Sequence, residues 1–213
     1  MIQIAPSMLA ADFLHLEKDV ELVNEHADLF HLDIMDGVFV PNLSYGFLVV
    51  EAIARKARKP LDTHLMIIEP EKYVERFVKA GSSMVSFHLN ATKDPKAVLD
   101  QIHACGAKAG LVINPDLPVE SLFPYLKYCD FVMLMSVFAG FGGQKFIEET
   151  YDRVRLLKAE ILGQGLEIPI EVDGGVSPSN AKALIEAGAE ILVAGSAVFK
   201  ADDPATVISA MRD

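Results

Sequence analysis

Short apolar runs recur eight times along the chain, each with the length and composition of a buried strand. Several of them are rich in Val, Ile and Phe, the residue types that favour strands. The runs are QIAPSML (3–9), LFHLDIM (29–35), PLDTHLMI (60–67), MVSFHLN (84–90), KAGLVIN (108–114), FVMLMSV (131–137), PIEVDGG (169–175) and EILVAGSAVF (190–199).

The segments that follow these runs repeat their apolar residues every three or four positions, which is the spacing of an amphipathic helix. Polar–proline pairs such as Asp94-Pro95 and Ser177-Pro178 mark helix starts, and glycines such as Gly106 and Gly188 mark helix ends. The predicted helical segments are HLEKDVELVNEH, FLVVEAIARKAR, PEKYVERFVKAG, PKAVLDQIHACG, VESLFPYLKYC, EETYDRVRLLKAEIL, SPSNAKALIEAG and DPATVISAMRD.

Eight strand–helix units in a chain of 213 residues fit a minimal (β/α)₈ TIM barrel, formed as a single domain over residues 1–213. A doubly wound open sheet shares the alternation, but it usually has fewer strands. We therefore expect the barrel, in which active sites lie at the carboxyl ends of the strands.

Composition narrows the classes of function. Hydrophobic residues make up 51% of the chain, enough for a substantial core, and the net charge of −11 argues against a nucleic-acid surface. No apolar run is long enough to span a membrane, and no secretory leader is recognisable at the N-terminus. Cys105 and Cys129 form no metal or disulfide motif, so we expect a cytoplasmic protein with reduced thiols.

Ionisable residues collect on one face of two predicted strands. Because side chains alternate along a strand, His31 and Asp33 share one face, as do Asp62 and His64 on the following strand. Asp173 ends the seventh strand. If the strands close into one barrel, two histidines and two aspartates converge near its mouth, a donor set that suits zinc, iron, manganese or cobalt.

Other polar positions have more than one interpretation. Asp36 has the opposite parity to Asp33 and falls where the strand ends, so we interpret it as a turn carboxylate. His88 on the fourth strand could lie below the site or hydrogen-bond within it. Ser7, at the end of the first strand, could contact a ligand or be structural.

Glycines follow the last three strands, in GFGGQ (140–144), DGG (173–175) and AGS (194–196). Glycine exposes backbone N–H groups to an anion, and barrels often bind phosphate in their last loops, so we expect a phosphate site that needs no lysine. Met35, Met66 and Met135 either fill the core or cap the reacting centre with apolar surface.

Five motifs are long enough to compare with known families: IAPSMLAADF, HLDIMDGVFVPN, DTHLM, MSVFAGFGGQKF, and IEVDGGV followed by VAGSAVF. In this order, from residue 4 to about residue 199, they closely resemble the ribulose-phosphate 3-epimerases. The resemblance implies a barrel of the ribulose-phosphate-binding type. It also implies an enzyme with one divalent metal ion that interconverts D-ribulose 5-phosphate and D-xylulose 5-phosphate.

The resemblance also assigns residues. It makes Asp33 and Asp173 the acid/base pair and includes both among the metal ligands, together with His31 and His64. It places two groups of residues against the substrate. The predicted sugar contacts are Ser7, His31, His64, Met35, Met66 and Met135, and the predicted phosphate contacts are Gly140, Phe141, Gly142, Gly143, Gly174, Gly175, Gly195 and Ser196.

Two departures from the family pattern lie at strand ends. Phe138-Ala139 replaces the usual polar residue and proline before GFGGQ, and Asn90 replaces the usual glutamate two residues after His88. A six-carbon ketose phosphate such as allulose 6-phosphate is therefore an alternative substrate, and a non-catalytic phosphosugar-binding protein is an alternative function. Decarboxylation or aldol cleavage would require a lysine on an inner strand face, where the pattern places none. The resemblance further implies a homo-oligomer, a dimer or a hexamer.

Overall fold

The computed structural model of the chain describes residues 1–212, which form an eight-stranded parallel barrel with helices outside it. The strands pair in the order β1-β8-β7-β6-β5-β4-β3-β2. Their bounds are β1 Gln3–Pro6, β2 Phe30–Met35, β3 Leu61–Met66, β4 Ser82–His88, β5 Lys108–Ile113, β6 Phe131–Met135, β7 Ile170–Asp173 and β8 Ile191–Ala194.

The barrel closes between its first two strands. A parallel bridge joins Ser7 to His31, and the N–H groups of Asp28 and Leu29 donate to the carbonyl of Ile4 at 3.0 and 3.4 Å. Closure brings the end of β1 against β2, where the sequence concentrates its ionisable residues. The (β/α)₈ prediction is confirmed, and the open-sheet alternative is wrong.

Eight α-helices follow the strands within the described residues. They are α1 Leu16–His26, α2 Phe47–Ala54, α3 Val74–Lys79, α4 Pro95–Ala104, α5 Thr150–Gly163, α6 Pro178–Ala187, α7 Ser196–Phe199 and α8 Pro204–Ala210. Four 3₁₀ helices, Met8–Ala10, Pro70–Lys72, Leu89–Ala91 and Val119–Tyr128, complete the connections. Residues 1–212 contain no helix with the length and apolar character that a membrane crossing requires.

Local chemistry explains where two of these helices begin. The Asp94 carboxylate accepts the N–H of Ala97 at 3.1 Å and caps α4. Ser177 and Asn180 form a reciprocal capping box at the start of α6. Each cap satisfies backbone N–H groups that the helix itself leaves free.

The buried apolar residues form four clusters, of which the largest lies outside the barrel. Outward-facing strand residues such as Leu32 and Val85 pack with the helices in one large cluster. Inside the barrel, at the amino ends of the strands, a smaller cluster contains Met84 and Phe131. The Phe131 ring lies where a side chain on Gly110 would be, so the glycine makes room for it. Apolar side chains thus occupy the interior at this end of the barrel, whereas the ionisable residues of β2 and β3 lie toward the opposite end.

Three predicted elements differ clearly from the structure. The segment PEKYVERFVKAG divides into the 3₁₀ helix Pro70–Lys72 and helix α3. The segment VESLFPYLKYC forms a 3₁₀ helix because Pro124 lies inside it, lacks an N–H and is incompatible with a continuous α-helix. The run EILVAGSAVF divides into β8 and α7 at Gly195, so its second half is helical. Asp213, the last residue of the final predicted helix, lies outside the described residues.

Candidate active site

A cavity of about 400 Å³ opens at the carboxyl ends of the strands. Asp33 from β2 and Asp173 from β7 lie on its wall, and the three predicted methionines, Met35, Met66 and Met135, line it with them. Ser7 and every glycine predicted to bind phosphate also line it, as do Phe141 and Ser196. The structure therefore brings these predicted site residues to one cavity, while His31 and His64 are fully buried behind its wall.

Strand register explains how β2 and β3 meet at this cavity. His31 pairs with Asp62, and Asp33 pairs with His64, so each histidine lies beside an aspartate of the neighbouring strand. All four side chains are buried. They face inward, because the residues that alternate with them along the strands, such as Leu32, pack against the helices. The alternation read from the sequence is thus correct for both strands.

Four donor atoms converge at the cavity floor, one each from His31, Asp33, His64 and Asp173, and all lie within 4.8 Å of one another. His31 Nε2 is 3.4 Å from Asp33 Oδ1 and 4.0 Å from Asp173 Oδ2. His64 Nδ1 is 3.2 Å from Asp33 Oδ1 and 3.8 Å from Asp173 Oδ2. Two imidazoles and two carboxylates are a suitable donor set for a divalent transition metal.

One atom of this set is unsatisfied in a way that fits a metal ligand. His31 Nε2 is buried and has no hydrogen-bond partner. A buried polar atom without a partner costs about 1–3 kcal/mol. A cation among the four donors would satisfy this nitrogen, so the residues present could hold one divalent ion.

The two carboxylates of the cavity have opposite electrostatic environments. Burial acts to raise the pKa of Asp33, but the charge of His31, 3.4 Å away, together with the charge and hydrogen bond of His64, outweighs it and holds the pKa well below its usual value. Burial and the charge of Asp33 raise the pKa of Asp173 to about 6. One carboxylate is therefore held ionised while the other is poised to carry a proton.

Hydroxyl groups fix Asp33 from two sides. The Ser7 hydroxyl donates to Asp33 Oδ2 at 2.5 Å. The Ser44 hydroxyl donates to the Asp33 backbone carbonyl at 2.6 Å and accepts the N–H of Met35 at 2.9 Å. Sequence reasoning missed Ser44, because it lies in a loop to which no strand or helix periodicity applies.

Further ionisable side chains lie behind the metal-ligand candidates. Asp62 Oδ2 is 2.6 Å from His31 Nδ1, and Glu171 Oε1 is 3.4 Å from the same nitrogen. His88 Nε2 is 2.9 Å from His64 Nε2, so the hydrogen-bonding interpretation of His88 fits the structure. The inward face of Asp62 could be read from the sequence, but its partner could not.

Two adjacent glycines shape the part of the cavity that follows β7. Gly174 has a φ of +117° and Gly175 a φ of +65°, conformations that other residues rarely adopt. A side chain on Gly175 would also collide with the backbone nitrogen of Phe146, 2.8 Å away. These positions require glycine for close packing, which leaves their backbone open to the cavity.

Two features of the cavity rim were not expected. Lys200, which directly follows α7, lines the cavity, so a cation is present beside the glycines after all. Ala139, at the position of the usual proline, donates its N–H to Asn114 Oδ1 at 3.2 Å, a bond that proline could not make. Phe138, the other departure, also lines the cavity and is half exposed.

His31 and His64 are fully buried, and their contact with a sugar stays a prediction.

Solved structures confirm the fold. The chain is similar to a mutant tryptophan synthase alpha-subunit from Pyrococcus furiosus, with a TM-score of 0.73, 17% identity, and coverage of 99% of this chain and 96% of the other. It is also similar to orotidine 5′-phosphate decarboxylase from Pyrococcus horikoshii, with a TM-score of 0.72, 14% identity, and coverage of 99% and 97%. Both similarities concern the fold alone.

The fold and the cavity define a (β/α)₈-barrel enzyme with a carboxylate pair beside two imidazoles at its strand ends. The chain matches the model of the Ribulose-phosphate 3 epimerase family over residues 3–199. It is 47% identical over 215 residues to the ribulose-phosphate 3-epimerase of Synechocystis sp., covering 100% of this chain and 94% of the relative. It is 44% identical over 214 residues to that of Bacillus subtilis, covering 100% and 99%. The chain therefore belongs to the ribulose-phosphate 3-epimerase family and is an epimerase, an enzyme of the isomerase class.

Proposed function

We propose that the protein interconverts D-ribulose 5-phosphate and D-xylulose 5-phosphate by moving a proton at carbon 3. The observation that carries this proposal is the convergence of Asp33 and Asp173 at one cavity with their pKa values shifted in opposite directions. Epimerisation next to a ketone removes a weakly acidic proton and returns one to the other face, so it needs two acid/base groups. The curated relatives bear the name of this activity.

The ionised carboxylate of Asp33 takes the proton from carbon 3, which leaves an enediolate. Asp173, whose pKa is raised to about 6, delivers a proton from its protonated form to the opposite face of carbon 3. In the reverse direction the two residues exchange these roles. Ser7 donates a hydrogen bond to Asp33, which keeps this carboxylate oriented toward the cavity.

His31, Asp33, His64 and Asp173 would hold a divalent ion of zinc, iron, manganese or cobalt. When bound, such an ion supplies Lewis acidity that stabilises negative charge developing on the substrate oxygens. The methionines Met35, Met66 and Met135 are nearly fully buried at the same wall. Their thioethers exclude water there, which strengthens electrostatic interactions in the site.

The phosphate group of the substrate is held at the rim of the cavity. The residues that bind it there are loop residues 140–143, Gly174, Gly175, Gly195 and Ser196. Lys200 supplies the positive charge at this rim. Among the cavity-lining residues within the described chain it is the one lysine or arginine, and Asp33 and Asp173 contribute negative charge. The local positive charge of Lys200 therefore attracts a phosphate dianion, although the protein as a whole carries a net charge of −11.

Isotope exchange tests this function. The metal-loaded protein, incubated with ribulose 5-phosphate in deuterated water, should replace the hydrogen on carbon 3 by deuterium and yield xylulose 5-phosphate, both visible by NMR. Absence of exchange with any ketose phosphate would refute the proposal. Comparing kcat/KM with allulose 6-phosphate measures the preference for the five-carbon sugar.

Variants test the two-base step. Asp173→Asn and Asp33→Asn should each lower exchange by roughly 10²–10⁴-fold, the contribution of general acid–base catalysis. The exposed Asp202→Asn is the matched control and should retain activity. Bound metal is measured in each variant, since both aspartates are also candidate ligands. Full exchange in either active-site variant would remove that residue from the mechanism.

A further inference from the structure

Each imidazole at the cavity floor turns one nitrogen toward the carboxylates and engages the other in a buried contact. For His31 the nitrogen facing Asp33 and Asp173 is Nε2, whereas for His64 it is Nδ1. The two rings therefore need opposite tautomers if both are to offer a lone pair to one cation. Whatever binds the far nitrogens decides whether this condition is met.

The far nitrogen of His31 faces a carboxylate. Its Nδ1 lies 2.6 Å from Asp62 Oδ2, and both side chains are completely buried. An ionised carboxylate has no proton to donate and can only accept a hydrogen bond. Beside such a group the ring carries its proton on Nδ1. In the neutral ring that a cation requires, Nε2 then keeps its lone pair, and no other group of the described structure competes for this atom by a hydrogen bond.

The far nitrogen of His64 faces another imidazole. Its Nε2 lies 2.9 Å from His88 Nε2, and one of these two nitrogens must donate to the other. If His88 donated, the proton of His64 would sit on Nδ1, where Asp33 Oδ1 at 3.2 Å could accept it, and this nitrogen would have no lone pair for a cation. If His64 donates, Nδ1 is free, and His88 carries its own proton on Nδ1, which is buried without a partner.

We infer that Asp62 and His88 are positioning residues that fix the tautomers of His31 and His64, so that Nε2 of one ring and Nδ1 of the other face the same divalent ion. This inference rests on the proposed metal site but not on the sugar or the reaction. A test that measures metal binding without substrate therefore distinguishes its failure from failure of the proposed epimerase activity.

Two substitutions at His88 separate hydrogen bonding from packing. The ring packs against Phe39 with centroids 4.8 Å apart, so His88→Phe retains an aromatic ring and removes the acceptor. His88→Gln loses the ring but can place an amide oxygen where Nε2 accepts. The affinity for Zn²⁺ alone is measured by competition with a chromophoric chelator. We expect a 10–100-fold loss for His88→Phe, the range typical of outer-shell partners, and a loss below about threefold for His88→Gln.

Asp62 is tested in the same way on the other ring. Asp62→Leu removes the acceptor at nearly constant volume, and Asp62→Asn retains an acceptor oxygen without the charge. We expect a 10–100-fold loss of Zn²⁺ affinity for the leucine variant and a smaller loss for the asparagine variant. Thermal unfolding of the metal-free proteins reports whether each variant folds. If Asp62→Leu does not fold, Asp62→Asn together with the His88 pair provides the test.

Ser86→Ala is the matched control, because Ser86 is fully buried on β4, two residues before His88, and its hydroxyl has no hydrogen-bond partner. It should leave Zn²⁺ affinity unchanged. The ¹⁵N shifts of the imidazoles in the Zn²⁺-loaded protein should show His31 protonated on Nδ1 and His64 on Nε2. Unchanged affinity in His88→Phe, an equal loss in His88→Gln, or the opposite tautomer at either ring would overturn the inference.

Discussion

Asp36→Asn removes one charge from a turn next to the active site, and its cost can be worked out from the contacts. Asp36 Oδ1 accepts the N–H groups of Val38 and Phe39, and Oδ2 accepts that of Ile68, each at 2.8 Å. Asparagine offers a single acceptor oxygen. Its NH₂ group takes the place of one carboxylate oxygen. It therefore faces either the N–H of Ile68 or the N–H groups of Val38 and Phe39.

The orientation that costs less places the NH₂ group toward the N–H of Ile68. It loses one hydrogen bond to a charged group and leaves one donor facing another. Hydrogen bonds to charged groups contribute about 1.5–3 kcal/mol, and Asp36 is partly exposed, which moves the expectation toward the lower value. We expect Asp36→Asn to lower the free energy of unfolding by about 1–2 kcal/mol at neutral pH. Urea denaturation followed by circular dichroism measures this difference.

The pH dependence gives a second readout. The backbone N–H groups, opposing the effect of burial, hold the pKa of Asp36 below its ordinary value of 3.8. Its carboxylate therefore stabilises the fold above about pH 4, and the contribution disappears as the pH falls through the lowered folded-state pKa. The difference between wild type and variant should shrink over that acidic range. The exposed Asp202→Asn should cost less than about 0.5 kcal/mol. An Asp36→Asn protein with the wild-type urea midpoint at neutral pH would refute the reasoning.

Three further perturbations have defined outcomes. Lys200→Gln should raise KM about 5–10-fold with kcat nearly unchanged, because it removes one exposed charge from the rim that we propose binds phosphate. Lys145→Gln, in the exposed loop nearby, should leave KM unchanged. Steady-state kinetics at low and high salt measure both effects. Cys105 should react with iodoacetamide much faster than Cys129, because burial raises the pKa of the Cys129 thiol to about 12, as mass spectrometry of the modified peptides would show. Gly175→Ala should lower both the melting temperature and activity, because its φ of +65° and a backbone nitrogen 2.8 Å from the added methyl leave no room; equal stability would contradict this.

Strand parity accounts for what the sequence could predict of the site. Because side chains alternate, the sequence alone places His31 and Asp33 on the inner face of β2, and the pairing of Asp33 with His64 follows once β2 and β3 are neighbours. Glycine spacing likewise located the rim, since Gly174 and Gly175 occupy conformations that favour glycine. These signals are local and survive folding unchanged.

Depth within the barrel and loop position could not be predicted in this way. Parity shows that Asp62 and His88 face inward, but the tilt of the strands decides which inner residues lie at the same level. Lys200 follows a short helix and Ser44 lies in a loop, where no periodicity applies. The 3₁₀ geometry of Val119–Tyr128 results from one proline within an otherwise helical apolar pattern.

The difference between the two catalytic candidates originates in their distances to the imidazoles. Asp33 Oδ1 lies 3.4 and 3.2 Å from His31 Nε2 and His64 Nδ1, whereas Asp173 Oδ2 lies 4.0 and 3.8 Å from the same atoms. The nearer carboxylate gains more from the positive charge of the rings and stays ionised, and its own charge then disfavours ionisation of the other. Two carboxylates of identical chemistry thus acquire pKa values shifted in opposite directions, because β2 carries its aspartate closer to the two imidazoles than β7 does.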